Sequence, residues 1–360
     1  MKINFLTSCL DLSGGMKIVF EYANRLAERG HEVRIVYPSY FPDQPWSGRK
    51  WYRRKITIAG IMRLFARHVS PLKVGWFDLK AELVKVPVLS EQFVPDADIS
   101  VTTFWEVAYW ACRHSQKKGR KFYFIQHYEI WAGGPKDKVE GAYKLDLANI
   151  VISRWLKTIV EGAGGKVAAL IPNGIDTKEF YPEALPGGGA LRILMPYRLA
   201  DWKGVKDGIA AFNIAREKRP GIRLVMFGPA PEGEVPEGVE FHILPVGADL
   251  RRIYNSCDIF LFPSHVEGFG LPPFEAMACR KPVVTTDVGA VPDFLEHGRN
   301  AMICKSRDIR GMAAHITELA QDKGRRDWIA EEGFRLVQKM SWGPAVDRME
   351  SLFKESLAGR

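Results

Sequence analysis

KINFLTSCLDLSGGMKIVFEYANRLAERGHEVRIVY, residues 2–37, is the stretch that decides the fold class. Lys2–Thr7 reads as a buried strand, and Ser13-Gly14-Gly15 follows it. Met16–Arg29 then carries Ile18, Val19, Tyr22, Ala23 and Leu26 at helical spacing. Gly30 stops that helix, and Val33–Tyr37 is the next strand. A strand, loop, helix and strand in this order imply a parallel sheet. The alternation continues with strands expected at Ile99–Thr103, Phe122–Gln126, Ile150–Ser153 and Ala168–Ile171. Glu183-Ala-Leu-Pro-Gly-Gly-Gly189 reads as the clearest linker. Beyond it the alternation restarts, with strands at Arg192–Tyr197, Leu224–Gly228, Ile259–Pro263 and Val283–Thr286. Helices fit Val205–Lys218, Leu250–Ser256, Pro273–Ala278 and Ile309–Gln321. The pattern predicts two doubly wound α/β domains, 1–184 and 185–340. The tail 341–360, with Trp342, Val346, Met349, Leu352 and Phe353, reads as an amphipathic helix.

A chain of 360 residues accommodates two such domains. With 46% hydrophobic and 26% charged residues it is neither a disordered chain nor a disulfide mini-protein. No apolar run reaches the roughly 18 residues that a membrane-spanning helix needs. The start, Lys2–Thr7, is too short for the apolar segment of a secretory signal. Five scattered cysteines, without a Cys-x-x-Cys pair, suggest neither zinc nor a disulfide framework. A cytoplasmic location is expected. Net charge is +9, and up to Pro182 there are 27 Lys/Arg against 18 Asp/Glu, while the remainder is balanced at 24 each. The excess is concentrated at Arg49, Lys50, Arg53, Arg54, Lys55, Arg63, Arg67 and Lys73. Ile58, Ile61, Met62, Phe65 and Val69 fall on one helical face there, with Trp51 and Tyr52 nearby. An apolar stripe with basic and aromatic flanks predicts contact of residues 49–73 with an anionic membrane surface, peripheral to it. A helix packed on its own domain is the alternative.

The strongest chemical signal is Glu267-Gly268-Phe269-Gly270-Leu271-Pro272-Pro273-Phe274-Glu275, directly after an apolar strand. Gly268 and Gly270 let backbone amides approach a ligand. Proline suits the first helical turn, and helix amides suit an anion such as a sugar diphosphate. Glu267 and Glu275 supply two carboxylates, which accept well from vicinal hydroxyls. Arg198 and Lys203 lie five apart around a turn after another strand. Two cations converging on one point would neutralise a diphosphate leaving group. Gly14 and Gly15 do not form Gly-x-Gly-x-x-Gly, which speaks against a nicotinamide dinucleotide. Asp96-Ala97-Asp98 is formally a D-x-D metal motif, but it precedes a strand of the first domain and is read as a decoy.

The run from Glu267 to Glu275 resembles the E-x7-E signature of retaining glycosyltransferases of family GT4. Further segments resemble that family in order and spacing. They are Ser13-Gly14-Gly15, Gln126-His127-Tyr128-Glu129, Pro172-Asn173-Gly174-Ile175-Asp176, Arg198 to Gly204, and Thr286 to Pro292. The resemblance implies a GT-B fold, in which two Rossmann-like domains face each other across a cleft. The first domain would bind the acceptor and the second the nucleotide sugar, and the terminal helix would return to the first domain. It implies a nucleoside-diphosphate sugar as donor, retention of configuration, and neither metal nor other cofactor. Glu275 would then hold the ribose hydroxyls and Glu267 the donor sugar, which the amides around Phe269, Gly270 and Leu271 also line. Arg198 and Lys203 would stabilise the departing diphosphate. Gly14 and Gly15 would lie near the donor phosphate. His127 would stand close to the donor sugar, although Tyr128-Glu129 departs from the family's His-Asp, and Glu129 is an alternative acid. Asn173–Asp176 reads as architecture. The run from Thr286 departs from the family's Thr-Gly-Gly-x-Pro-Glu at Val288, Ala290 and Asp293, leaving Gly289. Base recognition is expected near Phe227–Pro229 and Leu244–Val246. No carboxylate suits a covalent nucleophile, so front-face transfer is expected, to a glycan or lipid-linked acceptor of cell-surface polysaccharide or glycolipid synthesis. A nucleotide-sugar epimerase on the same fold is one alternative. A non-catalytic nucleic-acid binder is another, disfavoured by the neutral second half.

Overall fold

The structure is a computed structural model that describes residues 1–39, 74–184, 189–231, 235 and 238–359. The basic stretch 49–73, with its expected membrane contact, lies outside the described residues, as does most of the glycine-rich linker. The chain divides into two compact units, Met1–Pro172 with Ala345–Arg360, and Asn173–Pro344.

The first unit is built on a parallel sheet of β1 (Lys2–Leu6), β2 (Glu32–Pro38), β3 (Glu82–Val86), β4 (Ile99–Thr102), β5 (Arg120–Ile125), β6 (Ala148–Val151) and β7 (Val167–Leu170). The order is β3-β2-β1-β4-β5-β6-β7 among the described residues. β1 pairs with β2 from Lys2 opposite Glu32, and with β4 from Ile3 opposite Ile99. Its residues Ile3, Phe5 and Leu6 are buried because helices cover both faces of a parallel sheet, and Asn4 among them donates to Pro95 O. The helix Gly14–Glu28 starts where the Ser13 hydroxyl accepts from the Met16 amide. It buries Met16, Val19, Phe20, Tyr22, Ala23 and Leu26. Residues from Ala345 onward, in the helix Trp342–Ala358, belong to this unit. Phe353 packs on Phe122 with ring centroids 4.9 Å apart, and Arg29 bonds both Asp347 and Glu350 at 2.6 and 2.7 Å.

The second unit has a parallel sheet of β8 (Arg192–Pro196), β9 (Arg223–Gly228), β10 (Glu240–Ile243), β11 (Ile259–Phe262), β12 (Val283–Thr286) and β13 (Met302–Cys304). Their order is β10-β9-β8-β11-β12-β13. Ile193, Met195, Leu224, Met226, Ile259, Leu261 and Val284 pack against Ala211, Phe212 and Ala215 of helix Val205–Lys218, and against Met312 and Ile316 of helix Ile309–Gln321.

The units part at Pro172/Asn173, ahead of the expected boundary at 184. Residues 173–184 pack into the second unit although the glycine-rich segment lies after them. The Ile175 amide donates to Met340 O at 2.7 Å, Phe180 sets its ring edge-on against Tyr254, and Arg251 bonds Glu183 at 2.9 Å. Gly174 lies against Trp342, whose Cα would be 2.4 Å from an added Cβ. The Asn173–Asp176 segment is thus packing structure. All five cysteines are free thiols, and Cys257, Cys279 and Cys304 are buried.

Candidate active site

β8 and β11 pair in parallel, Ile259 opposite Ile193, so the loops leaving their carboxyl ends emerge side by side. The loop after β8 carries Arg198, exposed, and ends in a one-turn 3-10 helix, Asp201–Lys203. Gly204 follows with φ 63°. An added Cβ there would lie 2.0 Å from Pro263 O, so the backbone of this turn rests directly on the loop after β11. Across that contact, Lys203 Nζ donates to Glu267 Oε1 at 2.7 Å. Glu267 is buried and Lys203 partly so. The structure therefore joins Lys203 to Glu267, where the spacing alone suggested Arg198 as its companion.

Gly268, Phe269 and Gly270 are buried in the same loop, and the helix Leu271–Ala278 begins from Gly270 at φ 85° with prolines in its first turn. The loop after β12 closes over it. Ala290 N donates to Phe269 O at 2.9 Å, and Gly289, φ 60°, has no room for a side chain because its Cβ would lie 2.7 Å from that same oxygen.

Glu275 is buried on the new helix. The Tyr254 hydroxyl donates to its Oε2 at 3.0 Å. Tyr254 is fully buried among the rings of Phe180, Phe227 and Phe260, with centroids 5.4 to 5.8 Å away. Burial and the neighbouring carboxylate push its phenol far above the ordinary range, so it stays a donor. Sequence reasoning missed Tyr254, since its partner stands 21 residues on and only the sheet brings the two together. The Phe227–Pro229 and Leu244–Val246 segments also meet: Leu244 N donates to Gly228 O at 2.8 Å, and Ile243, Leu244 and Val246 are exposed there.

Three expected residues belong to the first unit. Gly14 and Gly15 open the long helix; an added Cβ at Gly14 would meet nothing within 4 Å, and one at Gly15 would lie 3.8 Å from the Gln126 side chain. His127 follows β5 and is half-buried. Glu129 is no surface acid. It is buried, accepting from the Tyr123 hydroxyl at 2.8 Å and from the Trp105 amide at 3.2 Å, where the helix Trp105–Ala111 begins. Burial pushes its carboxyl up to about 8. Asp96 bonds Lys118 at 2.6 Å, and Asp98 accepts from the Lys2 amide at 2.7 Å. Asp98 thus ties the start of β4 to β1, and Asp96 is ion-paired.

Comparison with known proteins defines the fold. The whole chain superposes on a sucrose-phosphate synthase from Thermosynechococcus elongatus, with TM-score 0.74, 18% identity and 100% of both chains covered. It superposes equally, with TM-score 0.74 and 17% identity over 100% of both, on Anabaena HepE in complex with UDP. The fold is GT-B. Residues 190–322, within the second unit, match the family model of Glycosyl transferases group 1. The chain is 27% identical over 346 residues, 93% of its length, to the O-antigen biosynthesis protein RfbC of Myxococcus xanthus, of which this covers 25%. It is 29% identical over 195 residues to the glycogen synthase of Mycobacterium tuberculosis, covering 50% of this chain and 47% of that one. The chain thus spans a quarter to about half of these curated relatives.

Proposed function

We propose that the protein is a GT4-type glycosyltransferase that moves a sugar from a nucleoside diphosphate to a glycan or lipid-linked acceptor, with retention and without a metal, in polysaccharide synthesis. The observation that carries this reading is the Lys203–Glu267 pair at 2.7 Å, set where the loops after β8 and β11 meet. Structures of like fold solved with UDP and relatives that include an O-antigen protein support it.

Negative charge grows on the diphosphate as the glycosidic bond to it breaks. Cations fixed beforehand lower that barrier most, because they need not reorganise during the reaction. Lys203 has three N–H donors. One serves Glu267, and the others can take phosphate oxygens, with Arg198 at the far end of the same turn. Glu267 would accept from hydroxyls of the transferred sugar. Glu275, oriented by Tyr254, would accept from the ribose. The amides of Phe269–Leu271 lie between these two anchors in sequence and would line the sugar. We assign acceptor recognition to the first unit. A phosphate oxygen of the donor would take the acceptor hydroxyl's proton as the new bond forms on the same face. The diphosphate then leaves protonated, and the charges balance without an enzyme nucleophile.

The test is a panel of nucleotide sugars with acceptor glycans, the product's anomeric configuration being read by NMR. A linkage of the donor's own configuration is expected, unchanged by EDTA, with Lys203→Ala lowering kcat by about a hundredfold or more. Free epimerised sugar, an inverted linkage, or full turnover by Lys203→Ala would overturn the reading.

A further inference from the structure

A lysine ammonium sits on a flexible stem, so its position depends on how firmly its root is held. The root of Lys203 has little structure of its own. Its 3-10 turn is closed by Lys203 N to Ala200 O at 2.8 Å and Gly204 N to Asp201 O at 3.1 Å. Such short turns open easily unless side chains tie them down.

His265 and Asp207 supply the tie. His265 stands two residues before Glu267, and Asp207 lies in the first turn of helix Val205–Lys218, four residues after Lys203. His265 Nε2 lies 2.8 Å from Asp207 Oδ2, and the ring N–H donates to the carboxylate. The His265 amide donates to Trp202 O at 2.7 Å. The side chains are only 12% and 22% exposed, which shields the bond from water. The same ring lies 3.1 Å from where a Cβ of Gly204 would be. The residues immediately before and after Lys203, and the helix that follows, are therefore all fastened to the loop that carries Glu267.

We infer that His265 and Asp207 are a positioning pair that sets Lys203 for the donor diphosphate. Neither is placed on substrate; both act through the lysine. The inference rests on the donor-binding reading proposed above.

Calorimetric titration of the full chain with UDP, GDP and ADP tests it, using whichever binds the wild type most tightly. Asp207→Ala and His265→Phe are expected to weaken binding about tenfold, as befits a hydrogen bond to a charged group. His265→Gln, whose amide can donate to Asp207, should stay within about twofold. In a Lys203→Ala background, Asp207→Ala should cost nothing more, because the residue it positions is gone. Thermal melts of the same samples separate a lost fold from a lost site, and Asp207→Asn replaces the alanine variant if the latter does not fold. Wild-type affinity in Asp207→Ala and His265→Phe, or losses that multiply with that of Lys203→Ala, would overturn the positioning role alone. A wild type that binds none of the three nucleotides, or a Lys203→Ala variant that binds them normally, would instead remove the donor reading itself.

Discussion

Glu129 illustrates how one side chain changes meaning with burial. Close to His127 it resembles part of a catalytic motif, yet its Oε2 accepts from Tyr123 and from a helix amide inside the first unit. Removing a carboxylate from water disfavours the charged form, and burial pushes Glu129 up to about 8 from an ordinary 4.5. The folded chain holds this proton more tightly than the unfolded chain, so its stability contribution is complete below the unfolded value. It is lost progressively as pH rises from there through about 8. Over that window the loss is at most roughly 1.4 kcal/mol per pH unit. Glu129→Gln keeps the shape and removes the titration, so its melting temperature should fall less than that of the wild type between pH 5 and 8. Parallel curves for the two proteins would show that Glu129 ionises normally.

At the scale of elements, the C-terminal helix shows what tertiary packing adds. Its residues from Ala345 join the first unit, where Phe353 is buried against Phe122. Charged groups reinforce the contact: Glu350 accepts from Arg29 and pairs with His31 and Lys354, and Lys354 and Arg29 hold its carboxyl down at about 2. These pairs are near the surface and contribute little each. The ring dominates. Phe353→Ala should cost about 3–5 kcal/mol, read as a shift in the urea midpoint at unchanged slope. A loss under about 1 kcal/mol would mean that the helix is held by its charges instead.

At the scale of the whole molecule, charge is distributed by unit. The entire excess of +9 falls before Pro182, and a large part of it between Arg49 and Lys73. If this stretch meets anionic lipid, each lysine or arginine near the surface contributes about 1 kcal/mol and the binding weakens with salt. Neutralising Arg53, Arg54, Arg63 and Arg67 together should then abolish sedimentation with phosphatidylserine vesicles at low salt. Undiminished sedimentation would assign the charge to another partner.

What was legible in the sequence was whatever a continuous local signal carries. Central strands of parallel sheets are buried on both faces, so β1, β4, β8, β11 and β12 announce themselves as apolar runs, and the helices between them as amphipathic repeats. The strands without an expectation, β3, β10 and β13, are all at sheet edges. Edge strands are half-covered and short, and Glu82–Val86 and Glu240–Ile243 carry charge accordingly. The site divided in the same way. Glycines, prolines and carboxylates at fixed spacing marked Glu267–Glu275, because a strand-to-helix turn is a local object. The partners of those residues, Lys203 to Glu267, Tyr254 to Glu275 and His265 to Asp207, stand 21 to 64 residues apart. No periodicity encodes such pairs. The sequence by itself determined the strand–helix alternation and the residue types at the turns, since these depend on neighbours along the chain. Only the tertiary structure decided which turns meet and which acid is buried, since those depend on strand order and on exclusion of water.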